Sequence, residues 1–252
     1  MRVTATVMGI PSSFHLPEHR GTAATDPAAA RAAVDAAVDL LHEAEQRFSR
    51  HVATSELRAV RRGDLDISRV SADMRDVLAL ADEARDASSG AFDVTGPDGL
   101  LDTDGVVKGW AVQRAADLVA CRGVVDLCVN VGGDVAVRGG PEPGRPWAVA
   151  VADPHDRTRT AAVVHVSDGG VATSGTAERG THVWDGRTGR PARGLASLTV
   201  VAETLTRADI LATAGFALGA DGLGWVVRNG AAWALEIRPD GTQAQAIRPP
   251  RG

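Results

Sequence analysis

The stretch Val124-Val125-Asp126-Leu127-Cys128-Val129-Asn130-Val131-Gly132-Gly133-Asp134-Val135-Ala136-Val137 places two valine-rich segments on either side of a Gly-Gly pair. Valine-rich segments of this length are typical of β-strands. A Gly-Gly pair suits a two-residue hairpin turn, because both turn positions need a positive φ. The stretch therefore predicts two neighbouring antiparallel strands. Glycines also let a ligand approach the backbone closely, although the turn explains this pair more economically.

Further extended segments lie along the chain, and helices interrupt them at irregular intervals. The predicted strands are Val3–Met8, Val125–Val131, Trp147–Ala152, Ala162–Val166, Leu198–Ala202, Trp225–Arg228 and Ala232–Ile237. The predicted helices start at Asp26-Pro27, Ser71 and Lys108, and a fourth carries Asp209 and Thr213. Regular βαβ alternation is absent, so we predict an α+β fold with mixed or antiparallel sheets and packed helices. We expect a single domain over residues 1–252, with residues 239–252 as a flexible C-terminal tail.

The composition excludes several classes of partner. The net charge of −5 argues against an electrostatic grip on nucleic acid or an anionic membrane, since both require a basic surface. There is no apolar run of membrane-spanning length and no signal-peptide pattern, so a cytoplasmic location is expected. Two cysteines are too few for a zinc site or a disulfide framework. No tyrosine is present, so a flat ligand would have to stack on Trp or Phe.

The helix from Thr206 to Thr213 places the Asp209 carboxylate and the Thr213 hydroxyl on one face, one turn apart. Such a pair of hard oxygen ligands suits Mg²⁺. A structural interpretation competes with this one. Thr206 would be the N-cap with Asp209 at N3, and the Thr213 hydroxyl would bond a carbonyl one turn back. The spacing alone favours the helix cap.

Other segments allow two interpretations each. Asp104-Gly105 leads through a helix start to Lys108, which predicts either an anion site at free backbone amides or a hairpin turn with a solvated lysine. The Thr173-Ser174-Gly175 segment either lines a phosphate or ends a strand. His182 lies in a polar, Gly-rich segment, where a histidine can move a proton near neutral pH, although a lone histidine is more often structural.

Taken in order, these segments resemble the ApbE-type flavin transferases, the FAD:protein FMN transferases. The matching stretches are Met8-Gly9, Phe48-Ser49 with Ser55-Glu56-Leu57, Gly90–Thr95, Gly105–Ala111, Asn130–Asp134, Thr173–Gly175, His182–Pro191 and Ala208–Thr213. They span nearly the whole chain in the order of the family. A colinear set of this kind is far more specific than any one of its members.

The resemblance implies a T-fold-like domain with an FAD cleft and a bound Mg²⁺. Such enzymes transfer the FMN part of FAD to a Thr or Ser hydroxyl of an acceptor protein and release AMP. On this chain the implied metal ligands are Asp209, Thr213 and a backbone carbonyl within Gly105–Val107, with Gly105 as the named residue. His182 is the implied base. The residues implied to bind the cofactor are Met8, Gly9, Asp93, Thr95, Lys108, Asn130, Gly132, Gly133, Asp134, Thr173, Ser174 and Gly175.

The chain departs from the family pattern at several positions. Val60-Arg61 replaces a Leu-Asn pair, Gln113 replaces an aspartate and Gly186 replaces a proline. The segment from Asp93 to Asp102 is much shorter than in longer members. These departures keep two alternatives open, namely an FAD pyrophosphatase that yields FMN and AMP and a non-enzymatic flavin-binding protein.

Overall fold

A computed structural model of the chain describes residues 1–17, 26–176 and 183–248. Its helices are α1 (Pro27–Phe48), α2 (Glu56–Arg62), α3 (Ala72–Ala87), α4 (Asp104–Cys121), α5 (Leu205–Leu218) and α6 (Gly222–Arg228). Its strands are β1 (Arg2–Val7), β2 (Ile10–His15), β3 (Leu127–Val131), β4 (Asp134–Arg138), β5 (Trp147–Ala152), β6 (Thr160–Val166), β7 (Gly169–Gly175), β8 (Trp184–Asp185), β9 (Arg190–Pro191), β10 (Ser197–Ala202), β11 (Trp233–Ile237) and β12 (Gln243–Ile247).

Eight of these strands form one sheet in the order β1-β2-β3-β4-β7-β10-β11-β12. Each neighbouring pair in this sheet is antiparallel. The Gly132-Gly133 hairpin turn joins β3 to β4 with φ values of 61° and 95°, as the sequence predicts. Met8 and Gly9 join β1 to β2 with φ values of 53° and 69°. The predicted α+β class, with antiparallel sheets and packed helices, is therefore confirmed.

The two faces of the large sheet are covered differently. One face packs against the helices, where Phe14 and Leu127 of the sheet share a core with Leu41 of α1 and Leu211 of α5. The other face is covered by the β5–β6 hairpin, where valines of β4 and β7 pack against β5 and β6. The helices and the hairpin thus lie on opposite sides of the sheet.

Two predicted helix starts have the capping bonds that their sequences indicate. The Asp26 carboxylate accepts a hydrogen bond from the Ala28 amide, with Pro27 as the first residue of α1. The Ser71 hydroxyl accepts one from the Met74 amide at the start of α3. Both bonds satisfy amides that lack partners inside the helix.

The helix α5 is central to the core and is buried along most of its length. It contacts α4, β7 and β10. Within the described part of the chain, the segment Leu205–Arg228 alone is long and apolar enough to cross a membrane by length and composition. This segment divides at Gly219–Asp221 into α5 and α6, and more than half of its most apolar stretch is buried inside the protein.

Two predictions of secondary structure are wrong, and one of two open interpretations is excluded. The segment Trp225–Arg228 lies in helix α6 rather than in a strand, because Trp225 and Val226 pack into the helical core and override their preference for extended backbone. Residues 239–248 are not a tail throughout, since β12 pairs with β11 at the sheet edge. The hairpin-turn interpretation of Asp104-Gly105 also fails, because these residues form the first turn of α4.

The early start of α4 has a local cause. The N-cap is Thr103, whose side chain makes no capping hydrogen bond, so the sequence carries no ordinary cap signal there. The carboxylate of Asp102 instead accepts a hydrogen bond from the Asp104 amide at 3.1 Å. The helix therefore begins one turn before Lys108.

Candidate functional site

A cleft of about 560 Å³ opens between the β1–β2 turn, the end of α1, the start of α4, β7 and α5. Many of the residues implied by the resemblance line this cleft together. They are Met8, Gly9, Asp93, Gly105, Lys108, Thr173, Ser174, Gly175, Asp209 and Thr213. The structure therefore brings the β1–β2 turn, α4, β7 and α5 into one site, although they are distant in the sequence.

Several other implied residues do not line the cleft. Thr95 is exposed, and its amide donates to the Asp93 carboxylate at 2.7 Å. The side-chain oxygen of Asn130 accepts from the Gly133 amide at 3.0 Å, so it stabilises the β3–β4 turn. Gly132 lies behind Ile10, where an added Cβ atom would come within 2.7 Å of the isoleucine Cγ2.

His182, the implied base, lies outside the described residues. Its neighbours on the C-terminal side are described, and Val183 and Trp184 both line the cleft. The role of His182 remains a prediction from the resemblance.

The carboxylate of Asp209 is nearly fully buried, with the residue 4% exposed. Its Oδ2 atom accepts a hydrogen bond from the backbone amide of Gly109 on α4 at 2.7 Å. The predicted cap by Thr206 is wrong, because α5 begins after Thr204, whose hydroxyl accepts from the Arg207 amide. Asp209 thus lies beyond the first turn of α5. Its carboxylate accepts from an amide of the neighbouring helix α4 and does not cap α5.

The helices α4 and α5 approach each other through glycines. A Cβ atom added at Gly109 would lie 2.6 Å from the Cβ of Asp209, and one at Gly105 would lie 3.1 Å from the Cγ2 of Thr213. In a regular helix the Gly109 amide would donate to the Gly105 carbonyl. The same amide also donates to the Asp209 carboxylate, so it serves the contact between the two helices.

Asp209, Thr213 and Gly105 line the same cleft, and their carboxylate, hydroxyl and carbonyl are hard oxygen groups of the kind that suits Mg²⁺. Mg²⁺ prefers hard oxygen ligands and usually keeps positions for water and substrate phosphate. Across the part of the chain that the structure describes, no three side chains among His, Cys, Asp and Glu cluster in a metal-binding arrangement. A single carboxylate with a hydroxyl and a carbonyl therefore suits magnesium better than a metal that requires several nitrogen or sulfur ligands.

Two hydroxyl pairs connect β7 with neighbouring elements at the cleft. The Thr213 hydroxyl lies 3.0 Å from the Ser174 hydroxyl, within hydrogen-bonding distance. The Thr173 hydroxyl is 2.8 Å from that of Thr199 on β10. These bonds join β7 to α5 and β10, and they fix the rotamers of the side chains that line the cleft.

Lys108 is held in place by a buried carboxylate. Its Nζ atom lies 2.6 Å from Oδ2 of Asp134, a residue that is 1% exposed. The other oxygen of Asp134 accepts from the Thr173 amide at 3.1 Å. Asp134 was predicted to bind cofactor, but in the structure it lies behind the cleft wall and positions Lys108 and β7.

Arg50 is a cleft residue that the sequence did not single out. Its guanidinium is 2.8 Å from Asp102 and 2.7 Å from Asp104. Burial raises the pKa of the Asp102 carboxyl, and the nearby charge of Asp104 raises it further. The only sequence signal for Arg50 was its position directly after the Phe48-Ser49 match.

Among the described residues that line the cleft, carboxylates outnumber cations. The cationic side chains are Arg50 and Lys108, and the carboxylates are Glu45, Asp93, Asp102, Asp104 and Asp209. A pyrophosphate would be repelled by such a surface unless an added cation offset the charge.

Phe48, Phe92 and Trp184 are the Phe and Trp residues among the described lining of the cleft. Phe48 and Phe92 line it but are almost fully buried, at 3% and 4% exposure. Trp184 is half-buried and also lines the cleft. Trp184 is therefore the aromatic ring with the most surface available for stacking against a flat ligand.

Two residues that depart from the family pattern, Arg61 and Gln113, lie outside the cleft lining and form hydrogen bonds between structural elements. Arg61 donates to the Leu101 carbonyl at 2.8 Å and lies 3.3 Å from the Asp98 carboxylate, so it holds the short segment after Asp93. The side-chain oxygen of Gln113 accepts from the Leu205 amide at 2.7 Å, at the start of α5.

The third departure, Gly186, is required by close packing. Its amide donates to the Ala91 carbonyl at 2.9 Å. An added Cβ atom would lie 2.5 Å from the Gly90 carbonyl oxygen and 2.7 Å from the Cβ of Asp93. A proline would remove this hydrogen bond and add atoms where no space exists.

A family model matches most of the chain, and individual relatives align with about half of it. The sequence model of the ApbE family matches residues 8–97 and 95–235. The FAD:protein FMN transferase of Salmonella typhimurium is 36% identical over 143 residues, which cover 53% of this chain and 41% of that protein. The enzyme of the same name from Haemophilus influenzae is 32% identical over 156 residues, covering 57% and 45%. The alignments thus span less than half the length of these relatives.

Solved structures share the whole fold. The flavin transferase ApbE from Vibrio cholerae superposes with a TM-score of 0.81 at 22% identity, covering 98% of this chain and 96% of that one. The ApbE protein from Thermotoga maritima gives a TM-score of 0.81 at 21% identity, with the same coverage. At these identities the similarity establishes the fold.

Proposed function

The chain belongs to the ApbE family, and we propose that it transfers FMN from FAD to a Thr or Ser hydroxyl of an acceptor protein and releases AMP. The relatives that it matches are named FAD:protein FMN transferases. The observation that carries the proposal is the convergence of Gly105, Asp209 and Thr213 on one wall of a cleft that is large enough for an extended ligand.

Mg²⁺ would be held by the Asp209 carboxylate, the Thr213 hydroxyl and the Gly105 carbonyl. Bound there, it would supply positive charge beside the phosphate oxygens of FAD and offset the carboxylates of the cleft. The hydrogen bond from the Gly109 amide to Asp209 fixes the carboxylate, and the hydrogen bond between the Ser174 and Thr213 hydroxyls fixes the Thr213 side chain. The ligand set is thus positioned before substrate binds.

Phosphoryl transfer depends mainly on positioning and charge neutralisation. In the proposed reaction the acceptor oxygen bonds to the phosphorus of the FMN half, and the bond from that phosphorus to the oxygen of AMP breaks. The acceptor hydroxyl gives its proton to a base, for which His182 is the predicted residue. Lys108, held by Asp134, places a positive charge on the same wall of the cleft. Trp184 would pack against a ring of FAD.

The test is incubation with FAD, Mg²⁺ and candidate acceptors, followed by intact mass of the acceptor and chromatography of the nucleotides. A transferase gives an acceptor heavier by FMN together with AMP. AMP and free FMN without modified acceptor would indicate a pyrophosphatase, and FAD binding without any product would indicate a carrier. Val60-Arg61 replaces a Leu-Asn pair of the family, and this departure kept the pyrophosphatase alternative open. In the structure Arg61 contacts Leu101 and Asp98 and does not line the cleft. We therefore favour transfer.

A further inference from the structure

A second cavity, of about 320 Å³, lies beside the cleft. It is formed by the β8–β9 hairpin, the residues that follow it and the C-terminal end of α5. We call it the arginine pocket, because Arg187, Arg190 and Arg193 line it. The family resemblance assigned no ligand to this cavity.

The three arginines are not equally neutralised. The Asp185 carboxylate holds Arg187 through two contacts of 2.8 and 2.9 Å, and the charge of Asp221 also acts on Arg187. Arg190 and Arg193 are exposed, and neither forms an ion pair with any carboxylate in the described ranges. Two guanidinium groups that have no ion-pair partner among the described residues thus border one cavity, in a chain whose net charge is −5.

The lining of the arginine pocket indicates which anion it suits. None of the described residues that line it is aromatic, so these residues offer no surface for stacking a flavin or adenine ring. Guanidinium groups bind carboxylates through paired hydrogen bonds. Ala217 and Leu218 at the end of α5 also line it, and this end of a helix carries carbonyls and partial negative charge. That charge opposes a compact dianion such as phosphate, whereas carbonyls can accept the amides of a peptide.

The arginine pocket adjoins the cleft directly. Ala217 lines both cavities. Trp184 lines the cleft, and the next residue, Asp185, lines the arginine pocket. A polypeptide bound at the arginines can therefore extend into the cleft, because the two cavities are separated by no more than one residue.

We propose that the arginine pocket docks an acidic segment of the acceptor polypeptide, next to the hydroxyl that enters the cleft. Arg190 and Arg193 contact Asp or Glu side chains of that segment. The inference rests on the proposed function for the identity of the partner, but peptide binding can be measured without any flavin chemistry. Such contacts set the affinity for the acceptor and leave the affinity for FAD unchanged.

The test compares two fluorescein-labelled peptides of equal length by fluorescence anisotropy. Each carries a central Thr, flanked by Asp and Glu in one peptide and by Lys in the other. We expect the wild-type chain to bind the acidic peptide more tightly, with an affinity that falls as salt rises. Arg190→Glu with Arg193→Glu should weaken binding of the acidic peptide by at least about 10-fold.

Two matched variants control this experiment. Arg190→Lys with Arg193→Lys keeps the charge and should retain most of the affinity. Arg159→Glu changes an exposed arginine in the β5–β6 loop, on the opposite side of the sheet, and should leave the affinity unchanged. If the double Glu variant fails to fold by circular dichroism, Arg190→Gln with Arg193→Gln replaces it, with the same expectation of weaker binding.

The outcomes separate this inference from the proposed function. Equal binding of the acidic and basic peptides, or an unchanged affinity in the charge-reversed variant, would overturn the arginine pocket as a docking site. Displacement of the acidic peptide by low concentrations of inorganic phosphate would also overturn it, because the pocket would then be a simple anion site. Flavin fluorescence reports FAD binding separately, so a chain that binds peptide but never transfers FMN refutes only the proposed function.

Discussion

The carboxylate of Asp209 on α5 accepts a hydrogen bond from the backbone amide of Gly109 on α4, with 2.7 Å between the two atoms. This bond joins two helices at the wall of the cleft. It uses the same side chain that the family resemblance implies as a metal ligand. Asp209 therefore has a structural role and a proposed metal-binding role, and the two can be separated by substitution.

Asp209→Ala should lower the free energy of unfolding by about 1–3 kcal/mol, because it leaves the buried Gly109 amide without this acceptor. Asp209→Asn keeps an acceptor oxygen of the same shape and should cost less than Asp209→Ala. Urea denaturation monitored by tryptophan fluorescence measures both values. Equal stability of the alanine variant and the wild type would show that the bond contributes nothing.

Gly109→Ala should destabilise the protein, although alanine is normally the better helix former by up to about 1 kcal/mol. The added Cβ atom would lie 2.6 Å from the Asp209 Cβ and 2.9 Å from the Leu205 carbonyl oxygen. Overpacking of this kind typically costs about 1–3 kcal/mol.

Gly224→Ala on α6 is the matched control for this prediction. There the added atom meets the end of the flexible Arg228 side chain, at 3.1 Å, as its nearest neighbour. Thermal unfolding should show a lower melting temperature for Gly109→Ala and little change for Gly224→Ala. A Gly109→Ala protein as stable as the wild type would contradict the close helix approach.

The local signals in the sequence predicted local structure well. Asp26 and Ser71 begin helices through hydrogen bonds within a few residues, and the Gly132-Gly133 turn depends only on positive φ. The prediction of a strand at Trp225–Arg228 was wrong because long-range packing decides the conformation of this segment. The β12 pairing was missed for the same reason, since its partner β11, rather than its own polar sequence, stabilises it.

Gly186→Pro should destabilise the protein by on the order of 3 kcal/mol, even though proline is usual in the family. The substitution removes the hydrogen bond to the Ala91 carbonyl and places atoms against Gly90. Gly186→Ala keeps the amide and should cost less. Denaturant midpoints rank the two variants, and a stabilised proline variant would refute this account of the departure.

Cys128 should resist alkylation in the folded protein. Burial raises the pKa of its thiol to about 11. At pH 8 roughly one thiol in a thousand would be ionised, and the thiolate is the reactive form. Cys121 is exposed and should react first with iodoacetamide, as peptide mass mapping would show. Comparable rates for the two cysteines without denaturant would contradict the buried environment of Cys128.

The raised pKa of the Cys128 thiol also makes the free energy of unfolding depend on pH above 9.0. The folded protein keeps the Cys128 proton that the unfolded chain loses above its ordinary pKa of 9.0. The contribution of this group to stability should therefore decline as pH rises from 9.0 towards about 11. Cys128→Ser should reduce this decline.

The site was only partly predictable from the sequence. Ordered motifs identified Asp209, Thr213 and Gly105, but spacing alone suggested that Asp209 capped its own helix. The hydrogen bond to Gly109 joins residues 100 positions apart, so no local pattern could indicate it. The sequence did not indicate Arg50 as a cleft residue for the same reason, since its carboxylate partners lie more than fifty residues further along the chain.

The most direct test of the central claim is the mass of FMN added to an acceptor protein by Asp209→Asn, compared with the wild type in FAD and Mg²⁺. Asp64→Asn, which alters an exposed carboxylate paired with Arg62, is the control. We predict modification by the wild type and the control, loss of modification in Asp209→Asn, and loss in the wild type when EDTA removes Mg²⁺. Undiminished transfer by a folded Asp209→Asn protein would contradict the metal site proposed at Asp209, Thr213 and Gly105.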